Sequence, residues 1–321
     1  MWNFSILRAL GLMIRTAPFL LYRALVYLGL ALAIAAMTAV GVAAGRSIGG
    51  LGAADVQLDG TLWGGLAGLA VAVGVLSLLR GRLLHSVKAG HVAVMADFLD
   101  GRPVPYGIGQ VAHARAIVAE RFGPTSALVA LDGLVRRVIG LITGMVDGPM
   151  TQVPVPGLAQ LLAAVRAWLR LSVAPVDEVI LAHAARTRSE NAWEAAHDAL
   201  VLHAQNARPM VVGAAWITLA GWALTVAAFA ALLGPASTLA ALLPVEVAPP
   251  SHLLAAIFAW AVKAALIDPF ALACLLQLFA NLSAGQEPQP EWRGRLTQMS
   301  DRFRQLGERA VGWEPLADRV A

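Results

Sequence analysis

Charge is scarce in this chain. Only 14% of its 321 residues are Asp, Glu, Lys or Arg, against 58% hydrophobic ones. A soluble domain carries nearer 25% charge, so the composition excludes an ordinary soluble fold. Lysine is almost absent: Lys88 and Lys263 are the only two, and the other 22 of the 24 basic residues are arginine. That bias, with abundant alanine, fits a GC-rich bacterial genome. The single cysteine, Cys274, excludes an intrachain disulfide and reads as a small buried apolar residue. No acidic residue occurs before Asp55. Metalloprotease and nucleotide-binding signatures are missing as well: there is no HExxH and no Walker-type loop. The net charge of +4 includes no basic run interleaved with exposed aromatics, so the basic balance points to membrane topology and not to nucleic acid.

What is present is apolar length. A bilayer core of about 30 Å needs about 20 apolar residues in a helix, and four runs supply them. Ala24–Gly45 and Thr61–Leu79 form a first pair. Met210–Gly234, with Trp216 and Trp222, and Leu253–Phe279 form a second. The first run is too long for a secretory signal core and reads as a retained anchor. The expected fold is an all-α integral membrane protein with four transmembrane helices. Between spans 2 and 3 lies a block of amphipathic, interfacial or re-entrant helices. The expected organisation is an amphipathic N-terminal helix at 1–23, a transmembrane hairpin at 24–79, an amphipathic helical region at 80–208, a second transmembrane pair at 209–280 and a tail at 281–321.

Residues 1–23 carry Arg8, Arg15 and Arg23 at spacings of seven and eight, with apolar residues over much of the remaining surface. This fits a helix lying on an anionic membrane face; the alternative is a basic flank that only fixes topology. Region 80–208 holds 13 basic and 10 acidic residues. Helices are expected at about 83–99, 110–122, 125–146, 158–172 and 176–207. Turns fall at Gly101–Gly107, Gly123-Pro124 and Asp147–Pro156. Segment 125–146 is apolar enough to dip into a bilayer, but Asp132, Arg136 and Arg137 argue against a simple crossing. The tail is expected to form a short surface helix at about 290–310.

Basic residues near the spans gather on one side: Arg8, Arg15 and Arg23, then Arg80, Arg82 and Lys88, then Arg208, then Arg293 and Arg295, whereas the opposite loops, 46–60 and 235–252, hold a single arginine, Arg46, between them. By the positive-inside rule both termini and the central region are expected on the cytoplasmic side of a bacterial inner membrane.

Glycine recurs at Gly41, Gly45 and Gly49, and again at Gly60, Gly64 and Gly68. Small residues every fourth position leave a bare backbone groove where helices approach closely. The ladders are expected to pack the first hairpin on itself, with homo-oligomerisation as the sharper reading.

The strongest pointer to function lies in the last run, where Lys263 and Asp268 fall near the middle and Pro269 follows. Ionisable groups at bilayer depth cost at least ~2.5 kcal/mol each and persist facing a partner, cavity or pathway. Proline lacks an N–H and crowds the carbonyl of Ala265. Five residues apart on a regular α-helix, the two charges point about 140° from each other. A direct pair therefore needs an unwound segment or partners on other helices, such as Asp132, Arg136 or Glu194. The functional reading is an ion or solute site at a broken helix, walled by Trp216 or Trp260. The structural reading is a charge clamp between helices. Aromatics around a carboxylate also suit a quaternary ammonium, although interfacial belts explain them too. Glu194-x-x-His197, with Glu190, has the spacing of one half of a di-iron motif, but no second half exists. No cofactor or metal is expected.

Residues 190–282 resemble the choline transporter-like family. Ala195-Ala-His-Asp198-Ala-Leu-Val-Leu202-His-Ala-Gln-Asn206 is similar to the family's helix of small and polar residues ending in asparagine. Ile267-Asp268-Pro-Phe-Ala-Leu-Ala-Cys274-Leu-Leu is similar to its last span. The resemblance implies movement of choline-like amines, with Asp268 a candidate site residue. The chain departs from the pattern in being about half the usual length, in having fewer spans and in carrying Lys263. Gln277, Asn281 and Ser283 also stand where the family has an acidic residue. The rival expectation is a non-catalytic membrane scaffold or accessory subunit, docking a protein partner through 80–208 and 281–321. A lipid-processing enzyme is a weaker third.

Overall fold

A computed structural model of the chain describes residues 4–51, 54–122, 125–147, 163–164, 167–169, 172, 175–187, 191–244 and 248–312. Their regular structure is entirely helical. The expected helix at 158–172 falls largely outside these residues, as do Glu190 and Glu246.

Helix α1 (Ile6–Arg15) is capped by Ser5, whose hydroxyl accepts the Arg8 N–H. It stops at Thr16 because Pro18 has no N–H and its ring crowds the Ile14 carbonyl. The Thr16 N–H and hydroxyl instead both donate to the Leu12 carbonyl, at 2.9 and 2.8 Å. Helix α2 (Ala17–Gly49) then starts afresh. The single helix expected over 1–23 is therefore two, and Arg23 belongs to the second. Helix α3 (Ala54–Leu99) contains the second span and continues without interruption to Leu99. No proline separates the span from the helix expected at 83–99, and isolated glycines cost only about 1 kcal/mol each.

Helices α4 (Gly109–Phe122) and α5 (Thr125–Asp147) follow a turn bracketed by Gly101 and Gly107, both with positive φ. The helix expected over 176–207 is divided into α6 (Val176–Arg186) and α7 (Ala192–Gln205). Asn191 makes the break, since its side chain accepts the N–H groups of Trp193 and Glu194 and starts α7. Helix α8 (Ala207–Leu242) runs through Pro235. Next come α9 (Ser251–Val262), a π-helical turn at Lys263–Ile267 and α10 (Asp268–Leu282). The tail forms α11 (Pro290–Met299) and α12 (Asp301–Val311). Among the described residues four stretches are long and apolar enough to cross a membrane: Ala17–Gly49, Asp59–Leu76, Ala207–Leu242 and Ser251–Leu282.

The chain divides into two compact units. The first comprises Met1–Pro18, Ser86–Leu219 and Phe270–Ala321; the second comprises Phe19–His85 and Ala220–Pro269. In the first, one apolar core joins α5, α6, α7, α10 and α12, with Val135, Ile180, Leu200, Leu275 and Phe303 among its buried members. The last apolar run thus supplies a buried helix to this core from Leu272 to Phe279. Gln277 fixes its register by accepting the Ser5 N–H at 3.2 Å.

The tail is held by its own chain. Leu296, Phe303 and Leu306 are fully buried, and the Phe303 ring stacks on His197 at 4.1 Å. The Asn191 amide donates to the Ala310 carbonyl at 2.6 Å, and Arg293 pairs with Asp198 at 2.6 Å. The apolar face of α12 therefore packs on α7.

In the second unit the two glycine ladders meet. A Cβ placed on Gly41, Gly45, Gly60, Gly64 or Gly68 would come closer than 3.0 Å to a carbonyl oxygen of the facing helix, and the Cβ of residue 60 would stand 3.2 Å from the Gly49 Cα. Between Gly41–Gly49 and Gly60–Gly68 the groove is filled by the same hairpin.

Candidate functional site

The site is built where α9 gives way to α10. From Lys263 to Ile267 the backbone is π-helical, and the Asp268 N–H donates to the Lys263 carbonyl. Such i→i+5 bonding stacks residues five apart on one side of the helix. It brings the Lys263 Nζ to 2.5 Å from the Asp268 Oδ1, so the pair that a regular helix would hold apart is direct.

Pro269 explains why the turn needs outside help. The Asp268 N–H is already used at Lys263, and Pro269 has none, so the Ala264 carbonyl loses both intrahelical donors. Arg23 supplies the replacement, with its Nη2 2.8 Å from the Ala264 oxygen. Arg23 is only 3% exposed. Its guanidinium carbon lies 5.9 Å from the centre of the Tyr27 ring, and Tyr27 meets Trp260 edge to face at 5.6 Å. The Lys263 ammonium also lies 5.4 Å from the centre of the Trp222 ring. A carboxylate and an indole face thus hold one ammonium, while Asp268 keeps 43% of its side chain exposed.

Sequence puts both charges near the middle of the Leu253–Phe279 run. In the structure α9 packs along α2, with Trp260 against Tyr27 and Ala264 against Arg23. Arg23 is the residue just before the uncharged stretch Ala24–Gly45, so the break sits level with the end of that stretch. The second half of the run, from Leu272, is packed in the core of the first unit.

Trp260 reaches the residues around Arg23 through its edge contact with Tyr27. Trp216 is an exposed residue of the first unit, and Trp222 lies against Lys263. Asp132 and Arg136 have other partners: Arg136 bridges Asp132 at 3.1 Å and Asp177 at 2.7 Å. Arg23 and Tyr27 are the residues that sequence reasoning missed. Sequence alone places Arg23 either on a membrane-face helix or in a topology-setting flank. The signal lay in Pro18, which restarts the helix and places Arg23 a turn and a half inside it.

Outside the spans, burial perturbs three groups of the first unit. Desolvation pushes Asp177 up to about 7, with Glu178 adding to it and Arg136 opposing. Desolvation also pushes His183 and His203 down to about 4, and among the described residues neither His203 ring nitrogen has a hydrogen-bond partner. The histidines contribute stability that is full above their ordinary value of 6.5 and is lost as pH falls towards 4. Asp177 acts the other way, contributing most below 3.8 and losing that contribution as pH rises through about 7. Two histidines outweigh one aspartate, so thermal melts should show the fold weakening from about pH 7 to about pH 5. His203→Phe should flatten that slope; an unchanged slope would place the acid sensitivity elsewhere.

Among the described residues no group of three His, Cys, Asp or Glu side chains could hold a metal ion. Glu194 and His197 belong to a helix whose His197 face is covered by Phe303.

These features define a class: an all-α membrane protein with several crossings and a polar break in its last apolar helix. Comparison with protein-family models, with curated proteins and with solved structures gave no match.

Proposed function

We propose that the chain is a multi-pass transporter of a small amine-like solute in a bacterial inner membrane, with both termini cytoplasmic. The break at Lys263–Asp268 is its cation site. The observation that carries this reading is the ammonium of Lys263, held between the Asp268 carboxylate and the Trp222 ring. Those two groups are what a quaternary or protonated amine requires. Lys263 fills the site from within, and an incoming amine takes its place. The π-turn supplies the break, Arg23 holds the turn's orphaned carbonyl, and Trp260 with Tyr27 walls it. The resemblance of residues 190–282 to the choline transporter-like family points to the same solute class and the same carboxylate.

The test is uptake of labelled choline and related amines into proteoliposomes, wild type beside Asp268→Asn. Saturable uptake lost in a variant that still elutes and melts like wild type supports the reading. Absence of uptake and of amine binding in a well-folded wild type overturns it.

A second reading is a membrane scaffold in which Lys263–Asp268 is a clamp. It is favoured by the extent of the first unit's core, which binds the N-terminal helix, the central helices and the tail into one body. It predicts that Asp268→Asn leaves capture of a protein partner intact.

A further inference from the structure

Helix α1 carries two faces. Its inner face is fixed to the first unit: Ala9 and Leu12 are buried in the core, and the Arg15 carbonyl accepts the Gln110 amide at 2.7 Å. Thr16, just beyond, meets His91 at 3.0 Å. The outer face is apolar and uncovered. Leu7 is 81% and Ile14 76% exposed, with Ile6 and Leu10 exposed beside them. At about 100° per residue these four fall within an arc of about 100°. Arg8 and Arg15, both exposed, share one border of that arc.

A fixed helix would not keep four large aliphatic side chains in water without a partner. Three observations name the partner. The chain enters a membrane-crossing helix one residue after Thr16. That helix opens with further exposed apolar side chains, Leu21, Tyr22 and Leu25. The only charges on α1 are positive, and none before Asp55 is negative. We infer that α1 is an interfacial lipid-binding helix: Ile6, Leu7, Leu10 and Ile14 insert at the headgroup–acyl boundary, and Arg8 and Arg15 bind the phosphates of anionic lipids. A second copy of the chain suits the face less well, because two such helices would bring four arginines together without a carboxylate. The inference does not depend on the solute proposed above.

The experiment uses the full chain with Cys274→Ala and one new cysteine at residue 7, 10 or 14 carrying a nitroxide. The protein is reconstituted in phosphatidylcholine vesicles with or without phosphatidylglycerol. All three labels should be more accessible to oxygen than to a water-soluble nickel chelate, at a depth of about 5–10 Å. Labels open to the chelate, as in water, overturn the inference. Labels shielded from both reagents overturn it too, since protein would then cover the face.

The headgroup part is read separately. Association of spin-labelled phosphatidylglycerol over phosphatidylcholine should fall about five-fold for each of Arg8→Gln and Arg15→Gln, as expected for a cationic side chain at an anionic surface. Both are surface changes, and an unaltered melting temperature checks the fold. An undiminished lipid preference in the double variant overturns this part.

Discussion

Gly45→Val should dismantle the α2–α3 hairpin. A Cβ at residue 45 would overlap the Gly60 carbonyl oxygen and press on the Gly64 Cα. These are backbone atoms, so no rotamer change can make room, and the two helices must separate along the whole ladder. Overpacking where side chains can yield costs about 1–3 kcal/mol. Here the cost should reach or exceed the top of that range. Gly29, on the same helix, has nothing within 4 Å of its would-be Cβ. Gly29→Ala should therefore gain about 0.5–1 kcal/mol from helix propensity. Melting temperature and protease resistance of the two variants in detergent make the comparison. Equal melting of Gly45→Val and wild type would show that the helices do not pack backbone to backbone.

The second large effect is at the charged break, where Asp268→Asn and Lys263→Met should act in opposite directions on amine binding. An asparagine amide in place of the carboxylate offers no negative charge, and a hydrogen bond to a charged group is worth roughly 1.5–3 kcal/mol. Amine affinity should drop about ten- to a hundred-fold, and uptake with it. Lys263→Met removes the internal competitor and leaves the carboxylate and Trp222 free, so amine affinity should rise, by at least about three-fold if each amine must displace a well-held ammonium. A clamp predicts something else. Either single change would strand a half-buried charge and lower the melting temperature, while the double change to Met and Asn would recover it. Isothermal titration with choline beside thermal melts of all three variants separates the two. A Lys263→Met protein that binds amine no better than wild type sinks the self-occupied site.

Much of this was legible from residue order alone. Four apolar runs of bilayer length and scarce charge specify a helical membrane protein, because in lipid the backbone must satisfy its own hydrogen bonds. The glycine spacing likewise puts a bare stripe on each helix of the first pair. Pro269 beside a lysine and an aspartate marks a break, since proline removes a donor wherever it falls.

Other features were settled by tertiary contacts. Whether Lys263 reaches Asp268 depends on the π register, and that register leaves the Ala264 carbonyl to Arg23, 241 positions away in sequence. No local pattern encodes a donor so distant. Hydropathy reads the Leu253–Phe279 run as one crossing, yet its second half is packed inside protein from Leu272 to Phe279. Lipid tails and a protein core are equally apolar, so composition cannot tell which of the two a leucine faces. The tail is a parallel case. Its charge pattern reads as a surface helix, but Phe303 and Leu306 need only a small apolar face to dock on α7. The sequence by itself determined the all-helical class and the membrane. The tertiary structure decided which apolar residues meet protein and which charge completes the break, because both depend on neighbours remote in the chain.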